Sequence, residues 1–229
     1  MRIFIILIFC VHAFSFCEVY NGLIFYSQSQ GLASSKTYLI NNSYNKINIW
    51  EHESSAIGIP HLNPDGSIII QFKSSDHSFG NTRGPIGGTF KKIDWDGNIE
   101  WQYFYSDSLK SLHHDIAVMP NGNVLAIAFE LKSKEESIAA GRDSLMIIEN
   151  KLWPEKIIEL QPFGLNEAIL KWEWHMWDHL IQGFDNTKEN FGDVEAHPEL
   201  FNLNYTADSI ADWAHANSCL LYTSDAADE

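Results

Sequence analysis

The sequence of 229 residues predicts an all-β fold, in which residues 18–218 form an incomplete ring of about three β-propeller blades. Two repeated elements carry this prediction: a tight turn that feeds an apolar strand, and a tryptophan-bearing strand that occurs out of phase with it. Sheets that pack face to face around an axis have inner strands buried on both faces and outer strands buried on one face. A β-sandwich with similar turns is the alternative architecture.

The first repeated element is a Pro-Asx-Gly turn followed by an apolar run. Residues 63–72 read NPDGSIIIQF, and residues 119–129 read MPNGNVLAIAF. Proline presets the backbone of the first turn residue and glycine supplies a positive φ, so both segments predict turns. The runs that follow do not alternate between apolar and polar residues, and we therefore expect strands that are covered on both faces.

The second repeated element is a strand with tryptophan on one face. Residues 94–103 read DWDGNIEWQY, and similar patterns occur at residues 47–51 and 168–174. Alternation of tryptophan with charged or amide side chains predicts strands with one buried and one wet face. A helix over residues 167–180 is the alternative for the third copy, because apolar residues also recur there at helical spacing. A polar insertion at residues 132–143 carries a short helical signal.

Composition excludes several classes of function. The chain has 15 basic and 30 acidic residues and a formal net charge of −15, which argues against nucleic acid as a partner. The cysteines stand at Cys10, Cys17 and Cys219, in segments that we do not expect in the mature domain. A disulfide framework, a thiolate nucleophile and a Cys-ligated metal site are therefore not predicted.

Both ends of the chain are expected to lie outside the folded domain. Residues 1–17 combine one basic residue, an apolar run and small residues, which is typical of a secretory signal peptide. We expect export to the periplasm or the medium and no membrane association after cleavage. Residues 219–229, CLLYTSDAADE, resemble a translated sequencing adapter. The expected native domain is then residues 18–218, an N-terminal and central fragment of a longer protein.

The candidate functional residues are histidines with acidic or amide neighbours, in the segments 113–115, 178–179 and 212–217. His113 and His114 precede the second Pro-Asn-Gly turn, where the innermost strand of a propeller lines the channel, and alternation should send only one of them inward. His215 and Asn217 stand two apart, so a strand would point both to the same side. Imidazole can act as a nucleophile or a donor, and an Asn amide adds an uncharged donor.

These motifs resemble those of the bacterial-type arylsulfate sulfotransferases, which use no nucleotide sulfate donor. The similar stretches are residues 94–101, 113–125, 172–180 and 212–218. The His-His-Asp and Asp-Trp-x-His-x-Asn motifs, in this order, are the most specific of them. The resemblance implies a six-bladed propeller without a cofactor, which moves a sulfuryl group from an aryl sulfate to a phenolic acceptor through a sulfohistidine. Its partners would be small aryl sulfates and phenols, and the oligomeric state is left open.

The resemblance also implies roles for individual residues. Substrate binding and charge stabilisation fall to His114, His113, His215 and Asn217. Supporting roles fall to Asp115, Asp178, His179 and Trp213. The nucleophilic histidine of the family lies in a later blade, so we expect it beyond the C-terminus of this chain and expect the chain alone to be inactive.

Two other classes of function remain open from the residues. A propeller can bind a ligand or a partner through its funnel without catalysis. A metal-dependent hydrolase would draw its ligands from His175, Asp178, His179, Asp193, Glu195 and His197. No tight ligand motif such as His-Glu-x-x-His occurs, so a metal site is not predicted.

Overall fold

Antiparallel β-strands dominate the fold, and the all-β prediction is confirmed. The computed structural model describes residues 20–29, 34–74, 78–79, 87–147, 149–205 and 211–221. The predicted signal peptide lies outside these residues, as do residues 222–229 of the predicted adapter. In the described part of the chain, no helix has the length and apolar character that crossing a bilayer requires.

Three antiparallel sheets make up most of the fold. The first sheet has the order β1-β2-β3 and consists of β1 (Leu23–Ser29), β2 (Ser35–Asn41) and β3 (Lys46–His52). The second sheet has the order β4-β5-β6-β7 and consists of β4 (Ala56–Leu62), β5 (Ile68–Lys73), β6 (Gly87–Ile93) and β7 (Ile99–Phe104).

The third sheet carries an insertion between its second and third strands. It starts with β8 (Lys110–Val118) and β9 (Val124–Glu130), and the insertion holds the ribbon of β10 (Lys132–Ser133) and β11 (Lys151–Leu152) together with the helix α1 (Lys134–Ala139). Strands β12 (Glu155–Phe163) and β13 (Glu167–His175) complete the sheet, in the order β13-β12-β9-β8. A parallel pair, β14 (Leu180–Ile181) and β15 (Phe201–Asn202), follows.

Both repeated elements of the sequence form the expected strands. The apolar runs form β5 and β9, and the tryptophan patterns form β3, β7 and β13. Gly66 and Gly122 adopt φ angles of 85° and 83°, as the turns require. The helical alternative for residues 167–180 is wrong over its first half, and only Met176–His179 forms a 3₁₀ turn. The helical signal in the insertion is confirmed by α1, which begins at a Ser133 capping box.

The second sheet lies between the other two, and this explains the unbroken apolar run of β5. Ile68, Ile70 and Phe72 pack with Trp50 of the first sheet. Ile69 points the other way, into a cluster shared with the third sheet. Each fully buried aliphatic or aromatic side chain contributes about 1.5–3 kcal/mol, so both faces of β5 hold the sheets together.

Strand β8 lies at the edge of the third sheet and packs against β4 of the second. Both strands have a register shift at this contact. Gly58 of β4 has a φ of 66°, and a Cβ atom there would lie 2.0 Å from the carbonyl oxygen of His114. The absence of a side chain at Gly58 therefore permits the approach of the strand that carries the two histidines.

The first testable prediction concerns this close approach, with Gly122→Ala as the matched control for Gly58→Ala. Both glycines have positive φ, so both substitutions carry the strain of about 1–2 kcal/mol that a left-handed residue incurs. Only the Gly58 variant also collides with the backbone of His114, since nothing lies within 4 Å of a Cβ at Gly122. We expect Gly58→Ala to lower the free energy of unfolding in urea by about 1–3 kcal/mol more than Gly122→Ala. Equal losses would contradict the prediction.

Candidate active site

Both histidines of β8 contribute to one cluster. His113 is fully buried, and His114 is half-buried with a φ of 49°. The register of β8 shifts between Leu112 and Ile116. A left-handed residue inside such a bulge interrupts the alternation of side chains, and the two Nδ1 atoms consequently lie 2.9 Å apart. Regular alternation of side chains therefore does not hold at this point of β8, and both histidines reach the same cluster.

His215 reaches the same cluster from a separate segment, residues 211–221, which runs without regular strand pairing. Its Nε2 atom lies 3.2 Å from Nε2 of His114. Its Nδ1 atom lies 2.5 Å from Oδ2 of Asp212. The structure thus brings together three of the sequence-predicted residues, and we call His113, His114 and His215 the imidazole cluster.

A buried carboxyl group that the sequence analysis did not single out completes the cluster. Glu155 is the first residue of β12 and is 2% exposed. Its Oε2 atom lies 2.7 Å from Nε2 of His113, and its Oε1 atom accepts a hydrogen bond of 2.9 Å from the backbone N–H of Ala216. The only signal in the sequence is an acid ahead of an apolar run, and such acids are usually exposed.

Burial makes the contact between His113 and Glu155 a neutral one. Burial foremost, with His215 nearby, lowers the pKa of His113 to about 3. Burial raises the pKa of Glu155 to about 9, although the N–H of Ala216 acts in the opposite direction. At neutral pH both partners are uncharged, so an acid hydroxyl meets an imidazole lone pair and no ion pair forms.

Burial also shifts the pKa values of His114 and Asp212, which lie nearer the surface. Burial, with a contribution from the two neighbouring imidazoles, lowers the pKa of His114 to about 4. Burial also raises the pKa of Asp212, and the adjacent His215 opposes this shift. The side chain of His215 is 34% exposed, so the cluster extends from a buried acid to the protein surface.

Asn217 and Asp115 flank the cluster. Asn217 is exposed, two residues after His215. Asp115 follows His114 and accepts a hydrogen bond of 3.0 Å from the backbone N–H of Cys219. In this chain Asp115 therefore holds the segment that carries His215 and Asn217 against β8, through Cys219, the first residue of the predicted adapter.

The other three supporting residues lie apart from the imidazoles. Trp213 is buried in a hydrophobic cluster with Leu203, so its ring holds the segment in place. His179 stacks on Trp174 with ring centroids 5.0 Å apart. Asp178 is exposed and lines a separate cavity. The described structure does not bring Asp178 or His179 into the imidazole cluster.

An apolar cavity opens beside the cluster. Its volume is about 310 Å³, and its apolar walls come from Ile127, Ile157, Trp174, Met176 and Phe201. Glu155 and His215 supply polar atoms at its wall. An engineered apolar cavity of about 150 Å³ accepts benzene, so this cavity has room for a substituted aromatic ring.

Two acids and one histidine at the cluster lie close enough together to coordinate a metal ion. Among the described residues, the side-chain ligand atoms of Glu155, Asp212 and His215 lie within 4.8 Å of one another. We do not assign a metal to them, because both oxygens of Glu155 and both ring nitrogens of His215 already have hydrogen-bond partners. The ligand set considered from the sequence is a different one and does not form such a group in the described structure.

The second prediction concerns acid stability. An unfolded histidine binds a proton near pH 6.5, whereas the buried His113 resists protonation down to about 3, and His52 and His114 to about 4. Between these limits the unfolded chain binds more protons, so the free energy of unfolding falls as the pH drops below about 6.5. Glu155 acts oppositely, since it holds a proton that the unfolded chain releases above about 4.5, but it is one group against three.

Urea unfolding at pH 7, 6 and 5 measures this effect. His197→Asn is the control, because His197 is exposed and bound to Glu199 alone at 2.9 Å, and we expect the variant to follow the wild-type profile. A free energy of unfolding that is constant from pH 7 to pH 5 would contradict the assignment of neutral buried histidines.

A comparison with known protein families identifies the family of this chain. A family profile described as Arylsulfotransferase (ASST) matches residues 40–227. No curated protein matches the sequence. The matched region includes both four-stranded sheets, the two histidines of β8, Glu155 and the segment of His215. The chain therefore belongs to the arylsulfotransferase family.

Proposed function

We propose that this chain takes part in the transfer of a sulfuryl group from an aryl sulfate to a phenol, and that the contact between His114 and His215 is where the sulfate is held. Membership of the arylsulfotransferase family supports an enzyme of this class with small aryl sulfates and phenols as substrates. The observation that carries the proposal is the meeting of imidazoles from two separate segments, with Nε2 atoms 3.2 Å apart at the protein surface.

The chemistry of sulfuryl transfer favours such an arrangement. By analogy with phosphoryl transfer, charge spreads over the non-bridging oxygens in a loose transition state, and positioned donors stabilise that state more than a strong base does. An oxygen that enters between His114 and His215 meets two Nε2 atoms, each held by a partner at the opposite ring nitrogen. Exposed Asn217 offers an amide donor nearby.

We place the aryl ring in the apolar cavity beside the cluster. Trp174 and Phe201 provide aromatic surface, and Met176 and two isoleucines fill the rest of the wall. His215 lines this cavity as well as the cluster. A phenyl sulfate can therefore keep its ring among apolar side chains while its sulfate meets imidazoles.

The sulfohistidine mechanism assigns the nucleophile to another histidine. Both ring nitrogens of His113, His114 and His215 have hydrogen-bond partners. Attack on sulfur by any of them would require the loss of such a bond. This supports a substrate-binding role for these three histidines and favours none of them as the nucleophile.

The propeller and the export of the protein belong to the same proposal. The second and third sheets are both four-stranded antiparallel sheets with a Pro-Asx-Gly turn between their first two strands. Their packing through β4 and β8 supports the interpretation of the sheets as neighbouring blades. The composition of residues 1–17 supports export to the periplasm or the medium.

The third prediction tests the two surface imidazoles. His114→Asn and His215→Asn each keep a polar atom near the position of Nδ1 and remove the group at Nε2. We expect each variant to bind phenyl sulfate about 10-fold or more weakly, because a hydrogen bond to a charged group contributes about 1.5–3 kcal/mol. Isothermal titration calorimetry measures the affinity, and His197→Asn is the matched control that should leave it unchanged.

A second measurement separates catalysis from binding. Protein extended to include the proposed nucleophilic histidine is mixed with 4-nitrophenyl sulfate and a phenol, and release of 4-nitrophenolate is followed. We expect dialysis against a chelator to leave any release unchanged, since no metal is assigned. Binding of phenyl sulfate without release would favour the non-catalytic binding module, and unchanged affinity in both histidine variants would contradict the proposed site.

A further inference from the structure

Five titratable groups are connected in series by hydrogen bonds. Oε2 of Glu155 lies 2.7 Å from Nε2 of His113, whose Nδ1 lies 2.9 Å from Nδ1 of His114. Nε2 of His114 lies 3.2 Å from Nε2 of His215, and Nδ1 of His215 lies 2.5 Å from Oδ2 of Asp212. Each imidazole uses one nitrogen toward each neighbour, so the chain is continuous from the buried acid to the surface.

The proton on Glu155 determines the direction of every bond up to the surface. A neutral imidazole has one N–H donor and one lone pair. When Oε2 of Glu155 carries a proton, Nε2 of His113 accepts it as a hydrogen bond, so its Nδ1 donates to His114. His114 then presents an N–H at Nε2. When Glu155 is ionised, every bond reverses, and His114 presents a lone pair at the same position.

The surroundings of Glu155 place its proton on the oxygen that faces His113. Its other oxygen, Oε1, accepts a hydrogen bond from the N–H of Ala216. A proton on Oε1 that pointed toward Ala216 would collide with that N–H. On the β9 side, Phe129 stacks on His113 at a centroid distance of 3.7 Å. The charged groups that face Glu155 come from residues 211–221: Asp212 favours the neutral acid, and His215 opposes it.

We propose that Glu155 is a positioning residue that supplies and takes back the proton of the phenol through His113 and His114. This inference rests on the proposed function. A phenolic oxygen at the site replaces His215 as the partner of Nε2 of His114. As the S–O bond of the donor breaks, its electron pair stays on the phenolic oxygen and the sulfuryl group passes to the attacking histidine.

The proton moves in three linked transfers. The departing oxygen takes the proton from Nε2 of His114, Nδ1 of His114 takes the proton from Nδ1 of His113, and Nε2 of His113 takes the proton from Glu155. The first half-reaction leaves a Glu155 carboxylate and a free phenol. The acceptor phenol then returns a proton along the same path as its oxygen attacks the sulfohistidine, so the cycle balances.

The proton affinities at the two ends of this path are similar. A phenol has a pKa of about 10, and burial raises the pKa of Glu155 to about 9. Burial therefore brings the proton affinity of Glu155 toward that of a phenol, which favours transfer in both directions. An exposed glutamate would be ionised at neutral pH and unable to donate.

The first test reads the tautomers by ¹⁵N NMR of histidine-labelled protein. In the wild type we expect His113 protonated on Nδ1 and His114 on Nε2 at neutral pH, with both switching nitrogens as the pH rises through about 9. Glu155→Gln should hold the neutral-pH tautomers throughout, because its amide group donates to His113 while its oxygen accepts from Ala216. Glu159→Gln is the matched control, on the same strand but bound to Asn123, and should switch like the wild type.

This measurement does not depend on turnover. Tautomers that fail to switch in the wild type, or that switch in Glu155→Gln as in the wild type, would overturn the inference. Because Glu155→Gln preserves the hydrogen-bond geometry, we expect its fold to persist. Circular dichroism checks this for both variants.

The second test uses a series of aryl sulfates with leaving phenols of different acidity. Glu155→Gln should slow phenol release by about 10²–10⁴-fold for poor leaving groups, the range for general acid catalysis. It should have little effect on nitrophenyl sulfates, whose phenolates leave without a proton. An equal loss across the series would indicate a structural role and overturn the inference. Because the nucleophile is expected beyond this chain, the series is measured on protein extended to include it. No release by that protein would contradict the proposed function instead, and the tautomers would then decide the role of Glu155.

Discussion

Glu155 satisfies both of its oxygens inside the protein, and this constraint sets the arrangement of the site. An unpaired carboxyl group in so buried a position would be strongly destabilising. One oxygen is satisfied by His113 of β8 and the other by the backbone N–H of Ala216. Because Ala216 follows His215 directly, the second bond fixes the distance between His215 and β8. The approach of the two surface imidazoles thus follows from the burial of one acid.

The sheets themselves are joined by a repeated hydrogen bond of tryptophan. The indole N–H of Trp50 on β3 donates to the carbonyl of Asp94 in the second sheet. The indole N–H of Trp101 on β7 donates to the carbonyl of Glu167 in the third sheet. Both hydrogen bonds are 2.7 Å long. In each case a buried ring packs while its polar atom reaches the next sheet. Trp172, the third copy of the pattern, is 48% exposed on the outer strand β13.

The local patterns of the sequence were sufficient for the strands but not for the site. Turn chemistry and alternation depend on neighbouring residues, and they predicted β5, β7 and β9 correctly. The convergence of His113 and His114 depends on a bulge, which arises where β8 meets Gly58 of β4, some 56 positions earlier in the sequence. Glu155 looks like an ordinary strand flank until β8 and residues 211–221 bury it. Such long-range contacts leave no local signal in the sequence. The sequence therefore indicates His113, His114 and His215 as site residues but does not indicate Glu155.

The acidity of the protein explains why the cluster is built from neutral groups. A chain with a net charge of −15 repels an anionic ester at long range, although salt screens charges beyond about 8 Å. Within the site, ionised carboxylates would add to the repulsion at short range, where screening is weak. Burial keeps Glu155 protonated, and the carboxyl of Asp212 is held by His215. The sulfate would then meet the N–H at Nε2 of His114, supported from behind by an uncharged Glu155. The neutrality of this acid serves both the stability of the core and the binding of an anion.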